Sequence, residues 1–165
     1  MNQTTNTAQL IKRVHGDRII TLFITSGFGI ATLVHAVRFV IAILSQNFID
    51  GNIQRLAGRF TESALITVAL LLLSFLLNDI HKNGKPFTSA NVTRLRIMAV
   101  LLFASPLLPI LAKVLAGFFD PTATSMQFTF GFEEILLFVC GVIVGIISEV
   151  FLYGTALEAE MDQIA

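Results

Sequence analysis

Charge is what this chain has least of. Lys, Arg, Asp and Glu make up 13% of its 165 residues, against about 25% in soluble domains. One cysteine, Cys140, excludes an internal disulfide and any thiol pair of the kind a membrane thiol oxidase needs. Tryptophan is absent, so an aromatic belt at a membrane surface must come from Phe residues and Tyr153. Of three histidines only His35 lies inside an apolar run, which excludes a haem held by two intramembrane imidazoles. No phosphate-cradling glycine loop, Ser-His-Asp set or metal-spaced His/Cys cluster occurs. No cofactor is expected, and no enzyme activity. What is plentiful is apolar surface: 55% of the residues are hydrophobic, gathered into long runs. That patterning points to a bilayer as the solvent and to one small membrane domain over 1–165.

Four runs are long enough to cross, at about 19–45, 60–80, 95–119 and 132–154. The expected fold class is all-α, an integral membrane four-helix bundle. Residues 1–18 are polar, then basic, and suit either a short interfacial helix on the membrane surface or a tail. The run from Ile19 is too long for a signal-peptide core and has no small-residue cleavage site, so it is expected to stay as an anchor. Within 46–62, Ile53, Leu56, Ala57 and Phe60 recur at helical spacing, which predicts a surface helix running into the second span. Asn83-Gly84 and Pro86 stop that span, and Thr88 or Ser89 caps the next. Pro106 and Pro109 fall inside the third run. Each lacks an N–H, so a kink is expected there. Residues 120–131 read as a turn. Gly141 and Gly145 form a Gly-x-x-x-Gly step that favours close helix contact.

Charge placement sets the orientation. Lys12, Arg13, Arg18, Lys82, Lys85, Arg94 and Arg96 fall in the terminal and central segments, while Arg55 and Arg59 alone fall in the other two loops. Basic residues collect on the cytoplasmic side of short loops, so both termini and the loop at 82–96 are expected in the cytoplasm. On that topology His35, Arg38, Lys113 and the pair Glu133 and Glu134 all come to the outer half. Arg38 sits roughly 9 Å beyond the middle of its span, at 1.5 Å rise per residue. Ionisable groups at such depth face protein or a water-filled cavity. The expectation is a polar cluster in which Glu133 or Glu134 pairs with Arg38 and Lys113, serving structure or a ligand or ion. Snorkelling of Lys113 to the interface is the plainer alternative. Glu149 lies at the inner end, within reach of Arg18, Arg94 or Arg96. Glu133-Glu134 resembles the paired glutamates of membrane CAAX-type proteases. Residues 135–140 are apolar and no histidine follows His81, which excludes that chemistry.

Two segments carry a family likeness. Gly84-Lys85-Pro86-Phe87, then Asn91-Val92 and Arg94-Leu95, resembles the signature loop of a bacterial domain-of-unknown-function family of four-span membrane proteins. Glu149-Val150-Phe151, Gly154 and Leu157-Glu158-Ala159-Glu160-Met161-Asp162 resemble that family's closing acidic helix. The ending Met161-Asp162-Gln163-Ile164 departs from the family's usual acidic one, and the first 60 residues match in pattern alone. The resemblance implies a bacterial inner-membrane protein often encoded beside a small Xre-like helix-turn-helix regulator. It implies that regulator as a partner, by association. Lys85, Arg94, Arg96, Glu158, Glu160 and Asp162 are then the docking candidates. Membrane lipid and a second copy of the chain are the other expected partners. Nucleic acid is not expected, because a basic segment beside a membrane meets anionic lipid first. Two readings stay open: a regulatory or accessory module working through its cytoplasmic face, and a ligand- or ion-handling bundle working through its outer cluster.

Overall fold

The computed structural model describes residues 2–45, 52–119 and 131–164, with side chains for 14–45, 53–119, 131–161 and 163. Asp50, the side chain of Asp162 and the turn expected at 120–131, apart from Gly131, lie outside the described residues. Among the described residues there are five helices and no strand: α1 Asn2–Leu44, α2 Asn52–Asn83, α3 Ser89–Ala104, α4 Leu108–Phe118 and α5 Phe132–Ile164. Each of α1, α2 and α5 is long and apolar enough to cross a membrane alone; α3 and α4 reach that length only as a pair, bent by 55° at their junction. The polar N-terminal segment is neither a separate interfacial helix nor a tail, because α1 runs from Asn2 into the apolar run without a break. Likewise the helical spacing within 46–62 belongs to α2 itself, which starts at Asn52.

Local chemistry explains the ends. Gly84 sits at φ 65°, the left-handed conformation that closes a helix, and its N–H bonds the carbonyl of Ile80 at 2.9 Å. Thr88 then caps α3 from extended backbone, its hydroxyl accepting the N–H of Asn91 at 3.2 Å. At the α3–α4 break, Pro106 has no N–H to give the carbonyl of Leu102. Ser105 satisfies it instead, with its hydroxyl at 2.7 Å and its N–H at 3.3 Å. Pro109 falls in the first turn of α4, where a missing N–H costs nothing. The break lets α3 lie along α5 while α4 turns to pack on α2.

Packing centres on α2, which touches α1, α3 and α4. Ala42, Ile53, Ala57 and Ala116 form one buried cluster, with Phe39 and Leu56 against it. Ala69, Leu76, Leu95 and Met98 form a second, joined by Val144 and Phe151 of α5. Small residues dominate the first cluster, as they do where helices approach closely in lipid. Hydroxyls link α1 to α2: Thr25 with Ser74 at 3.2 Å and Thr32 with Thr67 at 2.9 Å. Many other large apolar side chains point outward. Phe23, Leu33, Val37, Phe75, Val100, Ile146 and Val150 are all exposed, and only 6% of the most apolar window of α1 is buried. Surface this apolar is untenable for a monomer in water and suited to a hydrocarbon solvent. The fold is a membrane-type helical bundle.

Candidate functional site

Polar side chains collect at the two ends of the bundle. At one end, the stop of α2, the loop after it, the start of α3 and the last turns of α5 meet. Asp79 of α2 forms an ion pair with Arg94 of α3. The same guanidinium nitrogen of Arg94 donates to Oδ1 of Asn91 at 2.8 Å. Nδ2 of Asn91 in turn donates to the carbonyl of Pro86 at 3.0 Å. Asn91 is fully buried, so these bonds are what make its position affordable. The adjacent Phe87 ring meets Phe151 edge-on at 5.2 Å and lies against Gly154, where an added Cβ would overlap it. The loop after α2 and the last turns of α5, far apart in sequence, are therefore one packed unit.

This places the docking candidates unequally. Arg94 is built into the interior of the unit. Arg96 reaches Glu149 of α5, Nη2 to Oε1 at 3.0 Å, with both side chains about half exposed; of the three arginines within expected reach of Glu149, this is the one that meets it. Lys85 and Glu160 are exposed, Glu158 is half-buried, and the side chain of Asp162 lies outside the described residues. His15 and His81 come together beside this unit, ring centroids 5.2 Å apart and tilted by 40°. Sequence reading does not find that pair, because 65 residues separate its members and neither sits in a motif.

At the opposite end, α1 and α2 flank an open groove of about 310 Å³ lined by Phe28, Ala31 and His35 from α1 and Arg59, Glu62, Ser63 and Ile66 from α2. Nδ1 of His35 is shielded and has no hydrogen-bond partner among the described residues. Behind the groove, the alkyl chain of Lys113 from α4 lies across Gly58, where a Cβ would collide with it. Glu62 is one turn further along α2 and sits in the fields of Glu134, Glu133, Lys113 and Arg59. Oε2 of Glu134 accepts the N–H of Gly131 at 2.7 Å, capping the start of its own helix. Arg38 is exposed. Among the described residues, no ion pair closes between Glu133 or Glu134 and Arg38 or Lys113. Glu62 is the member that sequence reading left out. Its signal was Arg59, three residues earlier and on the same face once 52–62 is part of a long helix. A smaller cavity of about 230 Å³ opens where the α3–α4 break faces α5, against Phe103, Pro106 and Phe138.

Among the described residues no three His, Cys, Asp or Glu side chains converge as metal ligands. The fold and its polar ends define a small all-helical membrane bundle. The chain belongs to the family of proteins of unknown function DUF2975, whose model matches residues 56–164. The match covers the loop at 84–95 and the segment 149–162, and leaves α1 outside. No curated protein matches the chain, and no solved structure does.

Proposed function

We propose that this chain is a non-enzymatic regulatory or accessory protein of the bacterial cytoplasmic membrane. In this reading it spans four times, with α3 and α4 together as the third, broken span and both termini in the cytoplasm. It holds a cytoplasmic protein, a small helix-turn-helix regulator, against the membrane. The observation that carries the reading is the packed unit of Asp79, Asn91, Arg94, Phe87 and Gly154. It packs an irregular loop in place, and it leaves Lys82 exposed in the last turn of α2, Lys85 exposed on that loop and Glu160 exposed on α5. A preorganised surface of both charge signs is what specific docking requires.

Native mass spectrometry of the protein extracted gently from its own membranes tests this. A small helix-turn-helix protein is expected to travel with the wild type. The Lys82→Glu, Lys85→Glu double variant is expected to lose it while the bundle keeps its melting temperature. A bare protomer or oligomer from native membranes, or a partner retained by the double variant, counts against the reading. The outer groove supports ligand handling as a second reading, because it gathers His35, Arg59 and Glu62 in one cavity.

A further inference from the structure

We infer that the groove between α1 and α2 is a binding site for a zwitterionic amphiphile of the ethanolamine-phospholipid class. The inference is independent of the docking surface at the other end. Its first support is the polarity of the groove. Because α1 and α2 are antiparallel, His35 lies later on α1 and Arg59 earlier on α2, so both fall at one end; Phe28 and Ile66 both fall toward the middle. From His35 to Phe28 is seven residues, roughly 10 Å along a helix. A headgroup at the charged end and the first carbons of an alkyl chain along the apolar end reproduce the way a lipid stands in its leaflet.

The second support is charge. Arg59 and Glu62 line the same mouth, three residues apart, and no ion pair joins them among the described residues. The charges that act on Glu62 are those of Arg59 on its own helix, Lys113 from α4 and Glu133 and Glu134 from α5. An anionic lipid would meet Arg59 but also these carboxylates. A bare cation would meet Arg59 and Lys113, and the carboxylates do not converge on one point among the described residues. A neutral headgroup would leave both charges of the mouth unanswered in a medium of low dielectric. A phosphate and a primary ammonium on one molecule answer both. The phosphate takes the guanidinium of Arg59. The ammonium donates to Glu62. A choline headgroup lacks the N–H donors. The volume, about 310 Å³, falls at the lower end of small-ligand sites; it admits a headgroup and the start of a chain while the tails remain in the bilayer.

The test is lipid retention by native mass spectrometry. The purified full-length protein is offered phosphatidylethanolamine, phosphatidylglycerol and phosphatidylcholine of one chain composition. The wild type is expected to keep one phosphatidylethanolamine per chain with about tenfold preference over the other two, and Arg59→Gln with Glu62→Gln to abolish the preference. Glu62→Gln alone should move the preference toward phosphatidylglycerol. Should the double variant not fold, Ala31→Leu narrows the groove without touching its charges and is expected to release the lipid. Equal retention of the three lipids by the wild type overturns the inference, as does a preference unchanged in all of these variants. Soluble phosphoethanolamine supplies the remaining arm. Failure to displace the lipid supports an amphiphile as the ligand, whereas displacement by the headgroup alone assigns the groove to a free zwitterion and overturns the lipid.

Discussion

Two arginines two residues apart have different consequences. Arg94 serves Asp79 and Asn91 together, and the side chains of the Asp79–Arg94 pair are 29% and 26% exposed. Replacing Arg94 with Leu leaves a carboxylate and a buried amide oxygen without their donor, a loss of about 1–3 kcal/mol. Arg96→Leu breaks an ion pair that water already screens, and its cost should stay below about 1 kcal/mol. Thermal unfolding of the two variants in the same detergent micelle reads the difference directly. Equal melting temperatures would mean that the packed unit does not hold the loop. Both arginines were visible in the sequence as a cationic patch beside an apolar run. Their separate roles were not, because Asp79 is 15 and Glu149 is 53 residues from its partner. Composition and spacing cannot see a contact across such a separation. The same limit hid Glu62, whose charged neighbours arrive from α4 and α5.

Helices obey rules that a sequence carries more openly. The kink was legible at Pro106 and Pro109: the α3–α4 break, at 105–107, contains the first and ends just before the second. The stop at Gly84 and the cap at Thr88 were equally local and equally legible. The lengths were not. An expected span of 19–45 falls, but for its last residue, within α1 at Asn2–Leu44, and one of 60–80 is part of α2 at Asn52–Asn83. Apolar runs report where a helix lies in hydrocarbon; they are silent about turns that continue into water, where polar residues are helical without any periodic signal. A helix of the length of α1 extends about 65 Å, twice a hydrocarbon core of about 30 Å. The close approach of α3 and α5 gives a sharper test. A Cβ on Gly141 would come within 2.7 Å of the Phe103 nitrogen and 3.1 Å of the Ala99 oxygen, both backbone atoms that cannot turn aside. On Gly145 it would meet only the Ala99 methyl at 3.8 Å, an ordinary contact. Gly141→Ala is therefore expected to destabilise by about 1–3 kcal/mol and Gly145→Ala to be nearly neutral. Chemical unfolding of each single variant separates them, and a matched pair of losses would contradict the geometry.

For the molecule as a whole the fold class was readable from apolar content, and the family from two short segments. The proposed orientation rests on the seven-to-two division of cations between the terminal and central segments and the other two loops. A reporter enzyme active only outside the cytoplasm, fused after Ala165, is expected to be silent, and one inserted near Asp120 to be active. The reverse pattern would exchange the two ends of the bundle and put the packed unit outside. The family match begins at residue 56 and takes in α2 to α5, so α1 stands apart from the shared unit and meets it chiefly along α2.

The hydroxyl contacts of that seam carry a mechanical consequence. Thr25 to Thr32 on α1 and Ser74 back to Thr67 on α2 are both steps of seven residues, two helical turns on each side. The pairs act as teeth of equal pitch. Axial travel of α1 must disengage both at once, and one turn of travel toward its C-terminal end brings Thr21 level with Ser74 and Thr32 level with Ser63. A push along the long N-terminal arm of α1 thus meets α2 as a ratchet with a pitch of one helical turn.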